Sequence, residues 1–102
     1  AETYSKFIHP QDRSVRVLFG DGASATRVTA APGGARVGPC VLGTDGSGFE
    51  NLIVPAGGAR QPACAATKAE ARDDQGSVRT PEHLFMDGPE LFAFTLKRVP
   101  EV

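Results

Sequence analysis

The sequence predicts a small α/β unit. Three observations carry that reading: β-prone runs joined by a Gly-Asp-Gly turn, a long polar excursion behind them, and a helical period near residues 89–99. With 102 residues and 40% apolar side chains, the chain has the composition of one small soluble domain. A chain of this size leaves roughly a third or more of its unfolded surface in water, so its core is limited. Twelve Gly and eight Pro, concentrated between residues 31 and 90, add irregular segments to that limited core.

Taken in order, "VRVLF" at 15–19 is rich in β-branched and aromatic side chains, which predicts a strand running into Gly20-Asp21-Gly22. Glycines flanking Asp21 permit a tight return, and the small Ala23, Ser24 and Ala25 let another backbone pass close by. "TRVTA" at 26–30 reads as the second strand. After the "APGG" turn, Val37, Cys40, Val41 and Leu42 predict a third strand, interrupted by Pro39 and so placed at a sheet edge or bulge. "FENLIVPAGG" is a short apolar segment ending in another turn. The tract "ATKAEARDDQGSVRTPE" holds Val78 as its only large apolar residue and reads as a surface excursion. At "MDGPELFAFTLKRVPEV" Phe92, Leu96 and Val99 fall at i, i+4 and i+7, with Leu91 and Phe94 widening the stripe. Asp87, with Pro89 in the first turn and Glu90 three residues on, marks the helix start. Pro100 should end or kink that helix.

The formal net charge of −1 and scattered Lys and Arg give no basic face for nucleic acid or acidic lipid. No window approaches the roughly 18 apolar residues of a membrane span, and the start lacks the apolar centre of a signal peptide. A cytoplasmic protein is expected. Cys40 and Cys64 are then free thiols, Cys40 as a small core residue and Cys64 as a loop thiol. His9 and His83 have no partners at ligand spacing, so no metal site is expected. Asp21, Asp45 and Asp87 each adjoin a glycine, as turn and cap residues do.

Three blocks in order, "DRSVRVLFGDGASA" (12–25), "GTDGSGFENLIVPAGG" (43–58) and "LFMDGPELFAFTLKRVP" (84–100), resemble 3-oxoacyl-[acyl-carrier-protein] synthase III, the ketosynthase III branch of the thiolase-like enzymes. The resemblance implies a partial thiolase-like fold. Residues 1–30 would end the N-terminal half and 31–102 begin the C-terminal half, with the polar excursion at about 59–82. It also implies an acyltransferase that condenses an acyl-CoA with malonyl-acyl carrier protein, working as a homodimer without a permanently bound cofactor. Coenzyme A thioester and the carrier protein's phosphopantetheine are its substrates.

In the family the nucleophilic Cys lies before the segment matching Ala1, and the His and Asn after the segment matching Val102. No catalytic residue is therefore expected in this chain, and by itself it should be inactive. The implied contacts are binding ones. Arg13 matches a position at the adenine end of coenzyme A, where a guanidinium can stack on a base and counter phosphate. Phe19 matches an aromatic beside the reacting centre. Leu52, Leu84, Met86 and Phe92 match the wall of the acyl and pantetheine channel. Gly88 matches a glycine whose missing side chain lets the pantetheine arm pass, while Pro89 stands where the family often has Asn.

Two other readings stay open on sequence alone: a non-catalytic thiolase-like protein kept for binding, and a stand-alone small binding domain. The chain stops two residues after Pro100 without a cap, as expected of an internal segment, and alone it should fold poorly.

Overall fold

The computed structural model describes residues 1–30 and 33–99. Its regular elements are short: β1 (Glu2–Thr3), α1 (Arg13–Arg16), β2 (Asp21–Gly22), β3 (Leu52–Ile53), β4 (Ala71–Arg72), β5 (Val78–Arg79), β6 (Phe85–Met86) and α2 (Gly88–Arg98). The strands form three separate antiparallel pairs, β1 with β2, β3 with β6 and β4 with β5. The radius of gyration is 17.9 Å, against about 13 Å for a compact domain of this length. A core is accordingly sparse, with Val15, Ala56, Val78 and Leu84 as its buried apolar residues among those described. Five polar residues, His9, Asp12, Thr67, Ser77 and Thr80, are buried beside them.

The first predicted strand is a helical turn instead. Asp12 caps α1, its Oδ1 accepting from the Ser14 amide at 2.9 Å and the Ser14 hydroxyl at 2.5 Å. Amides of Leu18 and Phe19 then donate to the Val15 carbonyl. A capping carboxylate three residues ahead of a buried Val15 outweighs the β propensity of "VRVLF".

The last two residues of the Gly-Asp-Gly sequence form a strand, β2, pairing Thr3 with Asp21 and Glu2 with Gly22. Asp21 accepts from the Ser5 amide and hydroxyl at 2.8 and 2.6 Å, and these bonds hold its carboxyl below the usual carboxylate range. Neither Gly20 nor Gly22 has positive φ, and a Cβ on either would meet nothing within 4 Å. Their sequence role as a forced tight turn is not what the fold uses.

Residues 26–30 and 37–42 form no strands. They have no ladder partner among the described residues; without one, a strand's backbone groups go unpaired. Val28, Val37, Val41 and Leu42 are exposed, and so is Cys40, contrary to its expected core position.

The polar tract at 59–82 is divided. Its first part is mostly exposed, but Ser77, Val78 and Thr80 are buried. They get there through the β4–β5 hairpin. Gly76, at φ 83°, turns the chain where a side chain would be strained, and Asp73 closes the turn by accepting from the amides of Gln75 (3.0 Å) and Ser77 (2.9 Å). Burial raises the Asp73 pKa, but those bonds and Arg79 outweigh it and leave the carboxyl below its ordinary value.

His9 and His83 join the N-terminal segment to the turn before β6. Their rings meet edge to face at 4.9 Å. Nδ1 of His9 accepts from the Gln11 amide, which leaves Nε2 to donate to Glu70 at 3.3 Å. Thr80 Oγ1 accepts from the Glu82 amide and donates to His83 Nδ1 at 2.7 Å. Burial lowers the His83 pKa, and the nearby His9 lowers it further.

The predicted C-terminal helix is present as α2. Asp87 caps it by accepting from the Glu90 amide at 3.1 Å, Pro89 occupies the first turn, and Lys97 and Arg98 end it. Leu91 is half-buried, while Phe92, Leu96 and Val99 on the stripe are exposed. Pro100 lies outside the described residues. Among those residues, no helix is long and apolar enough to cross a membrane.

Two outcomes test this description. Asp87→Ala should lower unfolding free energy by about 1 kcal/mol, measured by denaturant titration; an unchanged midpoint would contradict the cap's role. The folded state favours neutral His83, so this contribution is present above its unfolded pKa near 6.5 and is lost as pH falls through the lower folded value. NMR titration should find His83 below 6.5, and a value at or above it would contradict the buried histidine pair.

Candidate functional site

A cleft of about 570 Å³ lined by three arginines lies between the start of α1 and the β4–β5 hairpin. Arg13 and Arg16 line one side and Arg72 with Gly76 the other, and no carboxylate is among the lining residues. Arg16 Nη1 donates to the Pro10 carbonyl at 2.7 Å, and Arg72 Nη1 to the Gly76 carbonyl at 3.0 Å. These bonds tether the two side chains to cleft walls while leaving further N–H groups of each guanidinium for an anion. Arg13 is exposed. Three guanidiniums facing one cleft suit phosphate groups, which they bind through planar, charge-assisted hydrogen bonds.

Behind the cleft is a charge network that the sequence does not reveal. Asp12 is fully buried, and its Oδ2 lies 3.0 Å from Arg79 Nε. The contact is an ion pair without an aligned hydrogen bond. Arg79 also pairs with Asp73 through Nη2 and lies 5.3 Å from the centre of the Phe85 ring. The Arg13 amide donates to the Ser77 hydroxyl oxygen at 3.2 Å, and the Val78 amide to the Gln11 carbonyl at 3.3 Å.

The other expected binding residues are divided among separate places. Phe19 is half-buried and stacks on Tyr4, with ring centres 5.1 Å apart. Leu52 pairs with Met86 across β3 and β6. Leu52 and the buried Leu84 also line an apolar groove of about 370 Å³ that includes Tyr4 and Phe7. Met86 and Gly88 line a different cleft with Phe85 and Pro89. A Cβ on Gly88 would meet only the end of the Met86 side chain, at an ordinary contact distance of 4.0 Å, so these residues leave room for a side chain there. Phe92 is 65% exposed on α2 and lines none of these cavities. The structure thus gathers Leu52, Leu84 and Met86 around one strand pair, and leaves Arg13 and Phe92 apart from it.

Arg16, Arg72 and the Asp12–Arg79–Asp73 network were not legible as site residues. The Asp-x-Ser pattern at 12–14 and the Asp-x-Gln-x-Ser pattern at 73–77 signal local turns, but nothing local pairs positions more than 60 residues apart. Both thiols are free and exposed. Cys64 has its pKa lowered by the Thr67 amide, then the Thr67 hydroxyl and the Ala66 amide. Among the described residues no three His, Cys, Asp or Glu side chains converge as metal ligands would.

Comparison with known proteins gives a consistent result. The family model for 3-oxoacyl-[acyl-carrier-protein (ACP)] synthase III matches residues 1–46. Beta-ketoacyl-[acyl-carrier-protein] synthase III 3 of Streptomyces coelicolor is 39% identical over 99% of this chain and 28% of its own length. Its counterpart from Caldanaerobacter subterraneus subsp. tengcongensis is 41% identical over 95% of this chain and 27% of its own. A crystal structure of 3-oxoacyl-(acyl-carrier-protein) synthase III superposes with a TM-score of 0.87 at 56% identity, covering 96% of this chain and 29% of that one. The chain thus spans a little over a quarter of the length of the relatives it matches. That match runs through all three sequence blocks and the fold that carries them, and over its length this chain is similar to a segment of 3-oxoacyl-[acyl-carrier-protein] synthase III proteins.

Proposed function

We propose that this chain forms part of a cytoplasmic, homodimeric ketosynthase III-type acyltransferase that condenses an acyl-CoA with malonyl-acyl carrier protein. In that chemistry a Cys thiolate attacks the acyl thioester, the new thioester forms, and coenzyme A leaves. Loss of carbon dioxide from the malonyl thioester then gives an enolate, stabilised by hydrogen-bond donors, which attacks the acyl carbonyl and releases the thiolate. We place the Cys, His and Asn of those steps outside residues 1–102, with residues 1–30 ending one thiolase-like half and 31–102 beginning the next.

The contribution of this chain is binding. Arg13 takes the adenosine end of coenzyme A on the cleft wall, and Arg16 and Arg72 raise the positive potential there. Leu52, Leu84, Met86 and Phe92 supply apolar wall for the acyl and pantetheine chain, Phe19 stands near the reacting centre, and Gly88 keeps the passage open. Pro89 replaces the amide side chain frequent in the family with a residue that favours the first turn of α2. Any contact from that amide is absent, while the helix start is reinforced. The observation that carries the reading is the continuous match of 39% identity along 99% of the chain to a beta-ketoacyl-[acyl-carrier-protein] synthase III.

A segment exchange tests it. Residues 1–102 replace the matched segment of the Streptomyces coelicolor relative, and coenzyme A release is measured with acetyl-CoA and malonyl-acyl carrier protein. The folded chimera should turn over, and Arg13→Ala within it should raise KM for acetyl-CoA about 5- to 30-fold, the equivalent of about 1–2 kcal/mol. A chimera that melts cooperatively yet binds no acyl-CoA would overturn the proposal.

A further inference from the structure

Arg13 is the residue on which the nucleotide end of the substrate depends in the reading above, and its place is set by a group that touches no substrate. Its amide donates to Ser77 Oγ at 3.2 Å, so the backbone at Arg13 is tied to the far end of the β4–β5 hairpin. The same hairpin carries Arg72 to the opposite side of the cleft. Two carboxylates govern where the hairpin sits. Asp73 shapes its turn through the amides of Gln75 and Ser77, and Asp12 caps α1 immediately before Arg13. Arg79 pairs with both carboxylates, at 3.0 Å to Asp12 and through Nη2 to Asp73. Its guanidinium lies over the Phe85 ring, and its side chain is largely withdrawn from solvent, 18% exposed.

The guanidinium meets the two carboxylates through different nitrogens, Nε against Asp12 and Nη2 against Asp73, so one planar group spans a gap that a single point charge does not. Resting on the coenzyme A reading, we propose that Arg79 is a positioning residue: by clamping Asp12 to Asp73 it sets the separation of Arg13 and Arg72 across the cleft and so tunes acyl-CoA affinity. It makes no contribution to the bond-making steps. Lysine at this position could neutralise one carboxylate but could not present the same fork to both.

The direct test is residue-resolved amide hydrogen exchange within the folded segment-exchange enzyme. Arg79→Lys should speed exchange at Arg13 and Val78, whose donors bind the Ser77 hydroxyl and the Gln11 carbonyl, by about tenfold or more. Ala56 and Leu84, which donate to Pro81 and Phe7, should be unaffected. Ser77→Ala, which removes only the acceptor for Arg13, should speed Arg13 alone. Unchanged exchange at Arg13 and Val78, or equal acceleration at all four amides, overturns the positioning role.

The kinetic test uses the segment-exchange enzyme. Arg79→Lys should raise KM for acetyl-CoA about fivefold with kcat within about twofold, and should add nothing once Arg13 is alanine, because its effect passes through that residue. Additive KM effects, or a loss of kcat at constant KM, overturn the inference. If local exchange responds as stated but Arg13→Ala leaves KM unchanged, the positioning of Arg13 is supported while the coenzyme A reading fails.

Discussion

The pairing of Asp12 with Arg79 is the constraint on which the rest of this structure depends. Asp12 is fully buried, with Ser14 donating to one carboxylate oxygen and Arg79 lying against the other, and a buried carboxyl needs such partners. Breaking a buried pair by removing one partner typically costs about 3–5 kcal/mol. That is large beside a core in which Val15, Ala56, Val78 and Leu84 are the buried apolar residues among those described. The pair also does what apolar burial alone cannot, since the same guanidinium meets a second carboxylate, Asp73, through another nitrogen. Through Asp12 it fixes the start of α1; through Asp73 it fixes the turn of the β4–β5 hairpin. Two segments more than 60 residues apart are thereby placed within hydrogen-bond reach, and Arg13 lies at their junction.

What was legible in the sequence follows from this division between local and distant forces. Helix α2 could be read because its signals are local: a capping Asp87, Pro89 in the first turn, Glu90, and an apolar repeat, all within one stretch. Expected strands at 26–30 and 37–42 failed because a strand is only half of a structure, and its existence depends on a partner that the strand's own sequence does not specify. The "VRVLF" strand failed for the opposite reason. Asp12 and Ser14 supply a local helix cap strong enough to override the β preference of the residues behind it. Gly20 and Gly22 show how permissive a glycine is, since both occupy backbone angles and space that other residues could have taken.

The candidate site was legible in the same uneven way. Arg13, Leu52, Leu84, Met86, Gly88 and Phe92 stand in blocks whose order is informative, so the resemblance picked them out together with Phe19. Arg72 and Arg79 stand in a tract that reads as polar surface, and composition gave no reason to separate them from its other charges. The hairpin shows the difference. Gly76 at positive φ reverses the chain, which brings Val78 and Ser77 inward, leaves Arg79 between two carboxylates, and puts Arg72 on the cleft. A polar tract can therefore build part of a site when its turn chemistry is specific.

The residues proposed for the channel wall depend on a different balance. An isolated helix of eleven residues is marginal in water, and the stripe formed by Phe92, Leu96 and Val99 is left exposed on α2. What holds α2 in place is its other side and its ends. Leu91 and Phe94 face a cleft shared with Phe49 and Asn51, the Asp87 amide donates to the Asn51 carbonyl at 2.8 Å, and Arg98 reaches Asp45 at 2.9 Å. Hydrogen bonds from Ser47, followed by the Arg98 contact, hold the Asp45 carboxyl below the usual range, so this partner is charged wherever the protein works near neutrality. The Asn51 bond also places the start of α2 beside β3, so Gly88 and Met86 are set by the backbone of the segment that carries Leu52. The position of α2 is thus controlled by polar contacts at its ends, while its exposed aromatic face leaves Phe92 available to a surface these residues do not supply.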